Sequence, residues 1–363
     1  MTIHIISETE FVTQGQGVHT AFVDHVDMMK EKDDIKVVIN NEGFGNIFHS
    51  HTYGPYLFWK GRRYKGKRVF TVHVIPDSIK GSLPLWKYWL PLVKWYFKQV
   101  YSYADVCIAI SPYVEKAIKD LGADTRIVKI NNPINTAKWR YSDEKRRIGR
   151  EMLGIAPGEF VVLGVGQIQP RKGVDEFIDI AQSVPEAKFV WIGGRPFGML
   201  TDRILHLNRR IERAPANVKF AGLMDLDEMP FVYAASDVLL FPSYQENSPL
   251  APMEAAACGI PVVFRDIIEY EKLYKHQYLK ASDIESFTAI ISNLMVNKDF
   301  YASAADMSNK LIRQFDKEII RKQLIDLYYE LMNNNKNKQK IHRIKEPSRT
   351  LFPEKLVTAT YFT

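Results

Sequence analysis

Cysteine is nearly absent from this chain: two residues in 363, Cys107 and Cys258. Both stand in apolar strand or helix contexts, which suits small core residues and excludes a disulfide framework or a thiolate metal centre. That usage fits a reducing, cytoplasmic setting. No uninterrupted apolar run approaches the roughly 18 residues of a membrane span. The opening residues Met1 to Ile6 read at once as a strand, with no basic segment, apolar core or cleavage signal before it. A soluble or peripherally bound protein is expected. Gly15-Gln-Gly17 is too short for the six-position dinucleotide fingerprint. The segments that read as ligand-binding hold no Asp-X-Asp run of the metal–diphosphate type, so no essential divalent ion is expected.

What is present suffices for two cores, since 46% of the residues are apolar. Runs that read as strands fall near 2–6, 35–39, 46–50, 68–73, 105–110 and 127–130, then near 160–166, 188–193, 217–220, 237–241 and 261–264, with helices between most of them. That order predicts two parallel α/β sheets: a first domain over 1–140, a second over 141–315, a helix over 316–332 and a disordered polar tail over 333–363.

Charge is divided unevenly among these parts. Residues 1–150 hold 23 Lys+Arg against 15 Asp+Glu, residues 151–332 hold 19 against 25, and residues 333–363 hold 7 against 2. In the first domain a basic loop carries Arg62, Arg63, Lys65, Lys67 and Arg68, and such a loop is ordinarily just solvated. A second basic element lies close by. Between residues 82 and 100, Trp86, Trp89, Leu90, Val93, Phe97 and Val100 share one helical face while Lys87, Lys94 and Lys98 line another, and Trp95 adds a third tryptophan. Aromatics beside lysines suit an anionic lipid interface. Packing against a core is the alternative, and Pro91 predicts two short helices with a kink. Nucleic acid is not an expected partner, because no nucleic-acid-binding motif accompanies the segment.

The second domain carries the chemistry. Glu246 and Glu254 are separated by seven residues after the strand around 237–241; Ser248-Pro249 reads as an N-cap with proline at the first helical position, and Glu254 then falls about two turns inside the helix. The free amides of Leu250 and Ala251 at that helix start suit a diphosphate. One carboxylate can accept from hexose hydroxyls and the other from ribose hydroxyls. Taken by spacing alone, the preferred reading of the pair is a solvated loop residue and an ordinary helix-surface residue. Arg171 and Lys172 occupy a turn where one strand ends and a helix begins, the place at which open α/β sheets bind ligands, and their cations suit a leaving diphosphate. His49 and His51 point the same way on a strand, but no third metal ligand of suitable spacing is evident, so a polar strand end lining a cleft is the preferred reading.

With Gly15-Gln-Gly17, His73 at a strand end, Gly166 through Gly173 including Arg171-Lys172, Gly193-Gly194, and Glu246 through Glu254 followed by Cys258-Gly-Ile-Pro261, the chain resembles the retaining glycosyltransferases of family 4 over residues 1 to about 332. The resemblance implies the GT-B fold, α/β with two facing Rossmann-like domains and a C-terminal crossover helix. It implies that Glu246 contacts the donor hexose, Glu254 the ribose, and Arg171 and Lys172 the diphosphate. His73 would lie near the reacting carbon, its backbone carbonyl facing developing positive charge. Gly15, Gly17, Gly166, Gln167, Gly193, Gly194, Ser248, Leu250 and Ala251 would complete the donor site. Gln167 departs from the pattern, since many relatives carry arginine there.

A closer resemblance, carried by Val72 to Leu83 with Gly166 to Gly173, is to bacterial glycolipid synthases that add a second hexose to α-monoglucosyldiacylglycerol. It implies UDP-glucose or UDP-galactose as donor, a glycolipid acceptor, and a peripheral place on the cytoplasmic face of an anionic membrane. The alternatives are a polysaccharide or teichoic acid acceptor, a nucleotide-sugar epimerase, and a non-catalytic membrane-binding adaptor.

Overall fold

A computed structural model describes residues 1–9, 17–40, 44–54, 61, 64–79, 86–194 and 204–345, with side chains for all of these except residues 79, 86, 204 and 334–345. Two six-stranded sheets organise it. The first contains β1 (Thr2–Ile6), β2 (Lys36–Ile39), β3 (Ile47–Ser50), β4 (Lys67–Val72), β5 (Val106–Ala109) and β6 (Arg126–Lys129). Their spatial order is β2-β1-β3-β4-β5-β6, and every pairing is parallel. The second contains β7 (Val161–Val165), β8 (Lys188–Ile192), β9 (Val218–Gly222), β10 (Val238–Phe241), β11 (Val262–Arg265) and β12 (Leu279–Ala281). Its order is β12-β11-β10-β7-β8-β9, again all parallel.

The composition of the strands explains this arrangement. β3, β5, β10 and β11 are buried at every position, as parallel strands covered by helices on both faces must be. Flanking helices supply the cover through one apolar stripe each. In Val174–Ser183, for example, Val174, Phe177, Ile178 and Ala181 turn inward. β12 was not among the eleven expected strands. It has only three residues, Leu279-Lys-Ala281, too few to show a periodicity.

The last helix, Lys317–Lys345, returns to the first sheet. Ile320, Leu324, Leu327, Tyr328 and Leu331 complete the same apolar cluster as Ile3, Ile5, Phe22, Val26 and Val106. Polar ties fasten its surface: Lys317 and Arg321 hold Glu31, Arg126 makes a bidentate pair with Glu330 (2.6 and 3.0 Å), and Tyr329 reaches Asp34. The helix expected to end at Met332 runs on to Lys345, so the polar run 333–345 is helical rather than disordered. Residues 346–363 lie outside the described residues.

Two further expectations are corrected. The helix expected to begin behind Ser248 as its cap spans Ala251–Ala257, with Leu250 at the cap position and no side-chain cap; Pro252, not Pro249, is the proline of its first turn. A proline lacks an N–H and fixes φ, so the helix can start no later than just before it. The kinked pair expected around Pro91 is one helix, Trp86–Ser102, with Pro91 inside it.

Candidate donor-sugar site

The carboxyl ends of β7, β8 and β10 converge. Gly166 and Gly193 follow β7 and β8 in backbone conformations with φ of 154° and 145°, which favour glycine. A Cβ on Gly193 would lie 1.9 Å from the Gly166 carbonyl oxygen, so the two strand ends approach as closely as only glycine permits. The Gly166 carbonyl also accepts from Trp191 Nε1 at 2.9 Å, which fixes its direction. Gly194 is packed by Leu223, and its carbonyl receives the amide of Ile168 at 2.9 Å, just beyond Gln167.

The turn Pro170–Lys172 hangs on this frame. Arg171 Nε donates to Gln169 Oε1 at 3.0 Å and its Nη1 to the Gln245 carbonyl at 3.3 Å, which aims the guanidinium along the loop after β10. Lys172 Nζ donates to Glu246 Oε1 from that same loop; Glu246 is buried and the Lys172 side chain is only 12% exposed. Burial alone would push the Glu246 carboxyl up, yet the Lys172 ammonium, the Arg171 charge and the hydrogen bonds from Lys172 and Ser243 outweigh it and hold the group below its ordinary value. Burial lowers Lys172 in turn, against the attraction of Glu246. The pair is ionic at neutral pH.

Glu254 lies deeper, on the helix Ala251–Ala257. Its Oε2 accepts from Tyr233 at 2.6 Å. Burial drives its pKa up to about 7, the nearby Asp24 charge adds to this, and the Tyr233 hydrogen bond and Lys138 oppose it. Asp24, from the helix Gly17–Lys30 of the first sheet, is likewise raised by burial to about 7. Two carboxyls from the two domains are thus close enough for the charge of Asp24 to raise Glu254, and each holds its proton up to about pH 7. Leu250 and Ala251 head this helix, and among the described residues no protein group accepts from their amides. Ser248 is buried with its hydroxyl unpaired, and its carbonyl takes a long contact from Asn132 at 3.4 Å.

The first domain contributes His73, just past β4 and buried. Asn247 joins the halves. Its Nδ2 donates both to the His73 carbonyl at 2.9 Å and to Ser78 Oγ at 3.1 Å, while its Oδ1 accepts from Gln245 at 3.1 Å. Glu246 and His73 are thus brought to one place through the residue between Glu246 and Ser248. Asn247 was missed by sequence reasoning, although its position inside the donor segment was a usable signal. Tyr233 and Asp24 gave none, because only the fold brings them to Glu254. Gly17 opens its helix, and a Cβ there would meet nothing within 4 Å among the described residues; Gly15 lies outside the described residues. An Asp-X-Asp run does occur elsewhere, Asp225-Leu-Asp227, where Asp227 is 99% exposed and lies 3.8 Å from Lys138.

Comparison with known proteins now bears on this geometry. Residues 35–138 match the family model described as Glycosyltransferase Family 4, and residues 145–313 match that of Glycosyl transferases group 1. The chain belongs to the family 4 glycosyltransferases. It is 28% identical, over 90% of its length and 89% of the relative's, to the alpha-galactosylglucosyldiacylglycerol synthase of Streptococcus pneumoniae. It is 27% identical, over 69% of its length and 74% of the relative's, to the processive diacylglycerol alpha-glucosyltransferase of Acholeplasma laidlawii. In architecture this glycosyltransferase resembles Anabaena HepE, solved in complex with UDP and glucose, with a TM-score of 0.69 and 20% identity over 90% of this chain and 99% of that one. The likeness is to the GT-B fold, two facing Rossmann-like domains.

The outer face of the glycosyltransferase's first domain was also predicted to hold a lipid-facing set. In the helix Trp86–Ser102, Tyr88, Trp89 and Trp95 are 80%, 57% and 60% exposed, with Leu92 beside them and Lys87, Lys94 and Lys98 all exposed. Phe97 and Val100 pack inward instead, so the exposed aromatic face is not the expected one. Of the basic loop, Lys65 is exposed, whereas Lys67 and Arg68 are both paired with Asp105 and Arg68 also stacks over Tyr103 at 4.0 Å. Those two are partly neutralised where they stand. Arg62 and Arg63 lie outside the described residues, as does the Trp86 side chain. Among the described residues no helix is long and apolar enough to cross a membrane.

Proposed function

We propose that this glycosyltransferase moves glucose or galactose from a UDP-sugar to a hydroxyl of α-monoglucosyldiacylglycerol, giving a diglycosyl diacylglycerol with retention of anomeric configuration. The observation that carries the reading is the buried Lys172–Glu246 pair, joined through Asn247 to His73. Glu246 is held ionised by Lys172, which suits it to accept from hexose hydroxyls and leaves it a poor covalent nucleophile. Lys172 keeps two further N–H groups, and with Arg171 and the amides of Leu250 and Ala251 it would stabilise the departing diphosphate, the largest electrostatic contribution to the rate. The bond from the anomeric carbon to the diphosphate oxygen breaks, the acceptor oxygen bonds on the same face, and its proton passes to a phosphate oxygen. Glu254 would accept from the ribose hydroxyls. No step calls for an essential divalent ion.

The acceptor class rests on the relatives named for diacylglycerol glycolipids and on the exposed aromatic and lysine face. That helix is continuous with the site: Tyr101 donates to the Val74 carbonyl at 2.6 Å, next to His73. An enzyme docked peripherally on the cytoplasmic face of an anionic membrane would therefore hold its reacting centre beside the lipid surface. The test offers purified protein labelled UDP-glucose or UDP-galactose with α-monoglucosyldiacylglycerol, diacylglycerol or a soluble oligosaccharide, each with and without EDTA. Diglycosyl product from the first acceptor, insensitive to EDTA, is expected. Transfer confined to the oligosaccharide would overturn the acceptor assignment.

A further inference from the structure

Behind His73 the first domain buries a continuous run of polar side chains. His73 Nε2 lies 2.9 Å from His51 Nδ1, and His51 Nε2 lies 2.6 Å from His25 Nδ1. His25 Nε2 lies 3.1 Å from the Tyr328 hydroxyl, which lies 2.5 Å from His49 Nδ1; His49 Nε2 lies 2.6 Å from Thr71 Oγ1. Six side chains, from β3 and β4 with the residues just beyond them, from the helix Gly17–Lys30 and from the closing helix, thus form one hydrogen-bonded file that ends at the cleft. Sequence spacing had offered no third partner for His49 and His51. His25 and Tyr328 supply the missing links from helices distant in sequence.

The ring nitrogens of His25, His49 and His51 lie close enough together to suggest a metal site. Their hydrogen bonds argue for another role. All six of those nitrogens already have a protein partner, so an ion would have to break a fully satisfied set. Burial holds the four imidazoles far below their ordinary pKa, with His25 and His73 pushed down to about 3, and holds the Tyr328 phenol protonated. Each neutral imidazole has one donor and one acceptor. A file of such groups can run only head to tail, in one of two directions.

Thr71 selects the direction. Its hydroxyl is buried, and among the described residues its only partner is His49 Nε2. The cavity beside it is also lined by His25, His51, Asn131 and Asn132, but the surface it exposes is mostly apolar, from residues such as Ile108, Ile110, Ile130, Ile320 and Leu324, which make poor partners for a water. If His49 donated to Thr71, the threonine proton would be left buried without an acceptor, a cost of about 1–3 kcal/mol. Thr71 therefore donates to His49, His49 to Tyr328, Tyr328 to His25, His25 to His51 and His51 to His73. His73 then accepts at Nε2 and carries its hydrogen on Nδ1. That nitrogen has no hydrogen-bond partner among the described residues.

We infer that Thr71, His49, Tyr328, His25 and His51 are positioning residues that fix His73 as the Nδ1–H tautomer, so that its side chain presents a hydrogen-bond donor, not a base, to an oxygen of the donor sugar. The tautomer follows from the file alone; its use on the sugar rests on the reading of His73 under the proposed function.

The test is a long-range ¹H–¹⁵N correlation spectrum of histidine-labelled full-length protein near neutral pH, with His73 assigned from the signal lost in His73→Gln. The four histidines of the file should all be neutral with the hydrogen on Nδ1. Tyr328→Phe and Thr71→Val should each turn His73 into a mixture of tautomers and raise the KM for UDP-sugar about 2- to 5-fold at nearly constant kcat, as the competent fraction falls. Thr71→Ser should restore both, a rescue that a purely structural role would not require. An Nε2–H signal for His73 in the unaltered protein would overturn the proposal. So would a His73 signal indifferent to both substitutions, or displacement of the His25, His49 and His51 signals by stoichiometric Zn²⁺, which would make the cluster a metal site. A tautomer that responds as expected with an unchanged KM would leave the file standing and remove His73 from the donor sugar.

Discussion

The two walls of the cleft bury polar groups in opposite ways. On the second-domain side Lys172 and Glu246 are buried as ions, each offsetting the desolvation of the other. On the first-domain side His25, His49, His51 and His73 are buried neutral, satisfied by passing hydrogen bonds along a file. The difference follows from what each wall would meet. On the proposed function, Lys172 and Arg171 would stabilise a departing diphosphate as fixed cations, whereas His73 would meet a neutral hexose through a directed hydrogen bond, where an uncompensated charge would be costly.

The sharpest way to break this comparison is to remove one ion. Glu246→Gln, which keeps shape and a hydrogen bond for Lys172, should lower kcat by roughly 10²-fold. Lys172→Ala should lower it at least as far and also destabilise the fold by about 3–5 kcal/mol, since Glu246 is then buried without its cation. Steady-state kinetics and thermal melts check both. Turnover within a few-fold of normal would take that residue out of the reaction.

The neutral wall makes an acid-labile structure. His25 and His73 stay unprotonated in the fold down to about pH 3 but take up a proton on unfolding below about pH 6.5. Their contribution is full above pH 6.5 and is lost as pH falls, by about 2 kcal/mol each at pH 5. Glu254 works the other way: its raised pKa gives stability that is present at low pH and lost as pH rises toward 7. Melts from pH 7 to 4 should show falling stability, and a steeper fall in Glu254→Gln, where the opposing carboxyl is gone. A profile that flattens in that variant would contradict the assignment.

On the proposed ribose contact, Glu254 would also link nucleotide binding to pH. The ionised carboxylate is the form that accepts from both ribose hydroxyls, and Glu254 holds its proton up to about pH 7, so UDP-glucose should bind up to about tenfold more weakly at pH 6 than at pH 8. Titration calorimetry should find that slope absent in Glu254→Gln. The smallest effect concerns the outer face. Replacing Trp89 and Trp95 with Ser should cut sedimentation with anionic liposomes at any ionic strength, whereas reversing Lys87, Lys94 and Lys98 to Glu should remove mainly its salt sensitivity. Equal loss of salt sensitivity in both variants would erase the division of labour between rings and charges.

Where the sequence was legible, the signal was local. Eleven strands could be read from short apolar runs, and the Glu246–Glu254 segment and the Arg171-Lys172 turn from their place at strand ends. What escaped depended on distance. Asp105 takes up Lys67 and Arg68 from 37 residues away in the chain, counted from Arg68, so a basic loop looked freer than it is. Tyr328 reaches His25 across 303 residues, a relation no spacing rule contains. The cap at Ser248 misled for a different reason. Ser-Pro and Ala-Pro offer two candidate starts within four residues, and the chain uses the second.

The closing helix has a consequence for synthesis. Ile320, Leu324, Leu327, Tyr328 and Leu331 belong to the core of the sheet made by the first 129 residues, so a growing chain exposes that core's unfilled groove until almost everything else has left the ribosome. Ordinarily the N-terminal domain folds first. Here the second domain can close earlier, and the first matures last, when the end of the chain docks. A chain broken off near Asp316 would leave a sticky, incomplete half that quality-control proteases can recognise, even with Glu246, Lys172 and His73 all encoded.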